Sequence, residues 1–318
     1  MTDFAVKRSY GGRVWVMPPG AEPLKGEWKN ARNGKRYFTP YQKEAEQYER
    51  ASKAGQYLKG DGGGIANWRG CMAAVGTVMS ESVRSQIATL INQYNGDPYY
   101  AGDDGGSQSG KSRLLEAVDT ACKLAGSETA STRGTEFHSL AELINSGETP
   151  TIVQDYLVEP LAHYREAVKK VSFHAQEIVI VNDDLKTAGS IDYLLELPAG
   201  VKLPTGEVTD APMVVAADLK TGKHDVNYPI GVTAQLAAYG TGQRYDQETN
   251  TRTPLHDDIS TEWAVMVHYP LATKGSEVGF YWLSLRDGYR AAQLNQSIDK
   301  AMKYFKSVDG KPVHFNLP

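Results

Sequence analysis

The sequence predicts an α/β protein, a central mixed sheet flanked by helices and preceded by an N-terminal helical lobe. Three observations predict it. The chain has 318 residues, 41% hydrophobic and 23% charged, enough apolar surface for a real core. Its hydrophobic period is helical from Gly64 to about Val171 and then changes to two-residue alternation. A helical stretch from Val232 to Tyr245 interrupts the alternating segments, as in a sheet joined through a crossover helix. The length suggests about two domains: a hairpin-bearing helical lobe over 1–110 and a core over 111–318.

Taken in order, the first 60 residues are irregular, with two strand-turn-strand signals. Val14 and Val16 alternate after Gly11-Gly12, and Asn33-Gly34 precedes Tyr37 and Phe38. Lys25, Lys29, Arg32, Lys35 and Arg36 surround Trp28 and Tyr37, a mixture able to hold a nucleic-acid backbone and stack on bases. A solvated basic hairpin is the simpler reading, since surface charges are common. Two helices follow between Gly64 and Asn95, with Ser80 as the cap between them. Helices are then expected at Ser112–Leu124, Thr135–Asn145 and Gln154–Val171. Strands are expected at Glu177–Val181, Gly189–Leu197, Met213–Lys220, Thr261–Tyr269 and Val278–Leu285, and a last helix at Asp287–Phe305. Pro198, Gly200, Pro204, Gly206 and Pro212 make the connection after Leu197 a long turn that returns the chain for antiparallel pairing.

Composition removes several classes of function. Cys71 and Cys122 cannot build a disulfide framework, a four-cysteine zinc site or a four-cysteine iron–sulfur cluster. Any metal would therefore be held mainly by oxygen or imidazole. No run approaches the ~18 apolar residues of a membrane span, and MTDFAVKRSYGG lacks the apolar stretch of a secretory signal. A cytoplasmic protein with no membrane partner is the expectation. The net charge of −4 does not advertise a polyanion partner, so nucleic-acid binding would rest on local groups.

Two acidic residues stand out by position. Asp192 lies among strand formers in Gly189-Ser190-Ile191-Asp192, and Asp218 ends the apolar run Met213–Ala217. A carboxylate at the end of a buried strand needs a partner. Lys220, two residues further, shares the face of Asp218. An ordinary ion pair explains Asp218 and Lys220 alone. Pairing of the Asp192 strand beside them would instead gather two carboxylates and an ammonium, a site for a hard divalent cation.

Four blocks then occur in one order: Arg133-Gly134-Thr135-Glu136-Phe137-His138, Gly189-Ser190-Ile191-Asp192, Asp218-Leu219-Lys220-Thr221-Gly222, and Gln235 with Tyr239 one helical turn later. Through them the chain resembles the PD-(D/E)XK nucleases, in the RecB-like exonuclease branch that includes CRISPR-associated iron–sulfur nucleases and many phage exonucleases. The resemblance covers about residues 133–240. It implies a restriction-endonuclease-like core and Mg2+- or Mn2+-dependent hydrolysis of DNA in recombination, repair or phage DNA metabolism. With only two distant cysteines, the chain resembles the cluster-free members.

The resemblance also implies roles. His138, Asp192, Asp218 and the Leu219 carbonyl would hold metal. Lys220 would orient water and stabilise charge. Gln235 and Tyr239 would position the lysine or the DNA, and Arg133 and Lys223 are candidate DNA contacts. Glu177 heads a strand where related nucleases often carry a carboxylate, and is a second-rank candidate. DNA is the implied partner, with a single-strand annealing or recombinase protein as a further one. If the chain is phage-encoded, its setting would be the host cytoplasm.

A competing motif runs from Gly105 to Ser112 and satisfies the phosphate-binding loop pattern, which would make the chain an ATP-binding protein. Such a loop needs a hydrophobic strand directly before it. Asn95–Asp104, rich in Gly and Asp, does not supply one. A nuclease-like fold that only binds DNA is a third reading, but it would need none of His138, Asp192, Asp218 and Lys220. No G-x-S-x-G elbow or activated-thiol context suggests serine or cysteine hydrolysis.

Overall fold

A computed structural model of the chain describes residues 6–59, 63–223, 225–273 and 275–307. They form a mixed α/β protein built as two compact units, Met1–Lys59 with Leu140–Pro318, and Gly60–Ser139.

The first unit holds the sheet. Its strands are β1 (Val14–Val16), β2 (Gly26–Asn30), β3 (Arg36–Pro40) and β4 (Glu46–Arg50). After the excursion through the second unit come β5 (Ser172–Asn182), β6 (Thr187–Leu197), β7 (Met213–Lys220), β8 (Gln243–Asp246), β9 (Thr251–Thr253), β10 (Trp263–His268) and β11 (Gly279–Ser284). Nine of these make one mixed sheet in the order β11-β10-β7-β6-β5-β8-β9, with β4 beside β6 and β1 beside β4. Strands β5, β6 and β7 are an antiparallel meander, and the turn-rich 198–212 connection returns the chain as its composition requires. Strand β10 lies parallel to β7. Strands β2 and β3 form a separate hairpin.

The sheet unit divides the chain elsewhere than at residue 110. Strand β7 pairs with β6 only at Tyr193–Leu197, and β4 takes the vacant edge at Thr187 and Ala188. Unpaired strand edges seek partners, so the N-terminal residues join the sheet instead of a helical lobe.

Helices α1 (Gly63–Met79), α2 (Glu81–Gln93), α3 (Gly110–Leu124) and the first part of α4 (Thr129–Asn145) make up the described part of the second unit. Ser80 caps α2 by accepting from Val83 N at 3.3 Å. The sheet unit contains the end of α4, α5 (Asp155–Ala167), α6 (Ile230–Gly240) and α7 (Leu285–Lys306). On one face of the sheet, α6 supplies Val232, Ala234, Leu236 and Ala237 and α7 supplies Leu285 and Ala292, packed on Ile180, Leu194, Ala216 and Met266. Tyr193, next to Leu194 and so on the opposite face, meets Phe173 edge-on at 5.2 Å and lies beside Tyr164 of α5. No described helix is long and apolar enough to cross a membrane.

Two elements differ from the sequence expectation. The helix expected to reach Tyr245 stops at Gly240, and Tyr245 lies on β8. At Gly242 the chain passes so close to Val181 that a side chain would stand 2.8 Å from its carbonyl oxygen, and this contact directs it into pairing with β5. Strand β5 also begins five residues before Glu177, because Ser172–Gln176 find partners on β6 that local sequence does not reveal.

Candidate active site

The site lies where β5, β6 and β7 run side by side. The β6–β7 register ends at Tyr193↔Ala217, so Asp192 and Asp218 are the next residues on the two strands, and Asp192 Oδ2 reaches the Leu219 amide. On the other side, Glu177 falls between the pairs Gln176↔Tyr193 and Ile178↔Ile191, opposite Asp192. Three carboxylates are thus neighbours across three strands. Their charges act on one another, Asp218 on both Asp192 and Glu177, and Glu177 on Asp192.

The strands are irregular at this row. Ala175 and Ile178 both pack on the α6 side, although an odd separation places them on opposite faces of a regular strand. Ile191 and Leu194 do the same on β6. Alternation slips beside Glu177 on β5 and beside Asp192 on β6, and β5 has a further register shift at His174. Glu177 is the left-handed residue, with φ of 50°, a conformation that costs a non-glycine residue ~1–3 kcal/mol and clusters at functional sites.

Asp218 is 1% exposed and fully engaged. One oxygen is held by the Lys220 ammonium, and Oδ1 accepts from Gln235 Nε2 at 2.8 Å. Asp192 Oδ2 accepts from the Leu219 amide at 2.9 Å. Burial, followed by the Asp218 charge, pushes the Asp192 carboxyl well above the usual range, against the pull of Lys220. Burial alone would lower the Lys220 ammonium, but Asp218 and Asp192 outweigh it and raise the lysine. Glu177 is raised to about 7, first by desolvation, then by the Glu142 charge, with Arg8 opposing.

Tyr239 is buried one turn beyond Gln235, and its hydroxyl is raised by burial. A methyl group on Gly189 would stand 2.7 Å from that hydroxyl oxygen. The glycine of G-x-x-D is the residue that admits the tyrosine. At the end of β7, Gly222 N donates to Asp225 Oδ2 at 3.0 Å. The Gly222 carbonyl lies 2.7 Å from His268 Nε2, which donates if that nitrogen carries the proton. Lys223 follows, exposed.

Of the residues singled out from sequence, Asp192, Asp218, Leu219, Lys220, Gln235 and Tyr239 come together, with Glu177 beside them. Leu219 takes part through its amide. Arg133 and His138 lie on α4 in the helical unit. Among the described residues, no group of three or more His, Cys, Asp and Glu side chains is arranged as a metal site. The oxygens of Asp218, and Oδ2 of Asp192, are turned to protein donors.

Arg8 is the residue that sequence reading missed. Its Nη2 approaches Ser190 Oγ at 3.4 Å, and its charge acts on Glu177 and Tyr239. It arrives from the far end of the chain, 182 positions from Ser190, and nothing in its local sequence signals this.

The phosphate-loop pattern has a different setting from the one its chemistry requires. Turns precede it, Ser109 caps α3 by accepting from Ser112 N at 3.1 Å, and Lys111 Nζ is bound to Asp103 at 2.7 Å. No protein-family model matches the chain, and a comparison with curated proteins finds no match.

Proposed function

We propose that the chain is a metal-dependent deoxyribonuclease of the PD-(D/E)XK type, and that exonucleolytic action is its mode. The observation that carries this reading is the row Glu177–Asp192–Asp218 across adjacent strands, with Lys220 and Gln235 on Asp218. Three acidic side chains are crowded and partly desolvated, and one, Glu177, holds an unfavourable backbone for it. A fold gains little stability from such an arrangement, whereas a cation and a phosphodiester would make use of it.

The donor set is hard oxygen, which suits Mg2+ or Mn2+. Asp192 and Asp218 would hold the ion, with Glu177 beside them and the Leu219 carbonyl added by the family resemblance. When bound, the ion supplies a hydroxide at neutral pH and neutralises charge on the phosphate. The chain's own part is orientation and charge. Lys220, kept protonated by the two aspartates, presents a cation where negative charge develops on the phosphoryl oxygens. Gln235 fixes Asp218, and Tyr239 seals the apolar side beneath it. Arg8 sets a guanidinium suited to a phosphate oxygen at the other end of the row. Arg133 and Lys223 are further DNA contacts in this reading, and a single-strand annealing or recombinase protein is its implied partner in the cytoplasm.

The test uses end-labelled linear DNA and closed circular DNA, each with Mg2+, Mn2+ or a chelator. Metal-dependent release of nucleotides from linear DNA alone supports the proposal. Binding of DNA with no hydrolysis under any metal would leave a DNA-binding module in its place.

A further inference from the structure

The β2–β3 hairpin concentrates positive charge on a chain of net −4. Between residues 25 and 36 it carries Lys25, Lys29, Arg32, Lys35 and Arg36 against the single Glu27. Its register sorts these groups onto two faces. Trp28↔Phe38 and Asn30↔Arg36 point one way, and Glu27↔Thr39 and Lys29↔Tyr37 the other. The first face is an anchor: Phe38, 3% exposed, packs with Met17 and Leu24, and the Arg36 guanidinium covers Trp28 at 4.4 Å. The second face is open. Tyr37 stands there beside Lys29, whose ammonium also pairs with the exposed Glu27 at 2.9 Å, a surface ion pair that a phosphate can displace, and Tyr10, 54% exposed, meets Tyr37 edge-on at 5.7 Å. Lys35 lies over the Tyr10 ring at 5.2 Å and donates to the Tyr10 carbonyl at 2.5 Å. Two rings are thus held in place between two ammonium groups.

The hairpin is fixed to the sheet unit through the segment that carries Arg8. Phe38 N donates to Arg8 O at 2.7 Å, and Trp15 Nε1 donates to Phe38 O at 2.9 Å. Arg8 reaches the carboxylate row, and Tyr10 belongs to the open face. The two residues are no more than ~7 Å apart along the backbone.

We infer that this face binds single-stranded DNA, stacking bases on Tyr10 and Tyr37 and holding phosphates with Lys29, Lys35 and Arg32. Unpaired bases expose their π-faces and duplex bases do not, so rings flanked by cations select single strands. An acidic protein would meet the same charges but leave the rings unused. The binding face stands without hydrolysis. That it delivers a strand past Arg8 to the carboxylates rests on the nuclease reading.

The experiment measures fluorescence anisotropy of a labelled oligothymidylate and of a blunt duplex with the full chain in chelator, over a series of salt concentrations. The single strand is expected to bind more tightly than the duplex. Tyr10→Ala with Tyr37→Ala should weaken single-strand binding roughly tenfold or more, with the salt slope kept, and Tyr37→Phe should retain affinity. Lys29→Gln with Lys35→Gln should lower both affinity and salt slope. Melting curves check that each variant is folded. Unchanged single-strand affinity in the folded tyrosine and lysine variants overturns the inference, as does equal displacement by polyglutamate in wild type and tyrosine variants. Hydrolysis in Mg2+ is assayed in parallel. Loss of that activity alone would remove the nuclease reading and leave the binding face intact.

Discussion

Glu177 makes the site pH-sensitive in a definite direction. Its carboxyl is raised from 4.5 to about 7 in the folded chain, and Asp192 is raised as well. Between these values the folded chain binds protons more tightly than the unfolded one, so stability falls as pH rises through that window. In chelator, the melting temperature should therefore drop between pH 5 and pH 7.5. Glu177→Gln should flatten the drop and raise stability at the upper end, and a profile unchanged by the substitution would show that Glu177 is not perturbed. Gly189 makes a steric prediction. The buried Tyr239 ring cannot swing away cheaply, so Gly189→Ala should cost ~1–3 kcal/mol of stability, as overpacking does. Removing the hydroxyl with Tyr239→Phe should restore part of that loss. Additive losses in denaturant melts of the double variant would show that the two residues do not meet.

At the scale of elements, the loop before α3 separates the two motif readings. A phosphate-binding loop must be mounted directly on a strand, so that its amides and lysine close around the phosphates at the sheet edge. Here Lys111 is paired with Asp103, lies 4.8 Å over the Tyr99 ring, and follows turns. Lys111→Ala should leave DNA hydrolysis within about threefold, about 0.7 kcal/mol of activation free energy. DNA-stimulated ATP hydrolysis that this substitution abolishes would reverse the assignment. Periodicity located the strands of the meander and the helix after them, but the ends of β5 and α6 followed from contacts. Ser172–Gln176 became strand because β6 offered partners, and α6 ended where Gly242 had to pass Val181.

For the whole molecule, the proposed metal site would link metal binding to folding through its crowded carboxylates. A ligand that binds only the folded chain stabilises it by ~2.7 kcal/mol at a hundred times its dissociation constant, a few degrees in melting temperature for a protein of this size. Mg2+ or Mn2+ should give such a shift in wild type. Asp192→Asn and Asp218→Asn should each be inactive and largely insensitive to metal. A metal-independent melting curve for wild type, alongside active asparagine variants, would remove the metal site.

The sequence by itself determined the α/β class, the order of the principal helices and strands, and the shared face of Asp218 and Lys220. These are local properties. A period of two sets faces, a turn-rich link sets antiparallel return, and a D-x-K spacing sets two side chains on one side. Gln235 and Tyr239 were legible for the same reason, since one helical turn places them together. Tertiary structure alone decided that residues before 60 complete the sheet, that Arg8 reaches Ser190 and that Glu177 stands in register with Asp192. It also decided that Gly189 is glycine because a tyrosine fifty positions later lies against it. Each of these depends on an edge left unpaired or a space left open by residues far away in the chain. Packing fixes such partners, and no local pattern of the sequence records them.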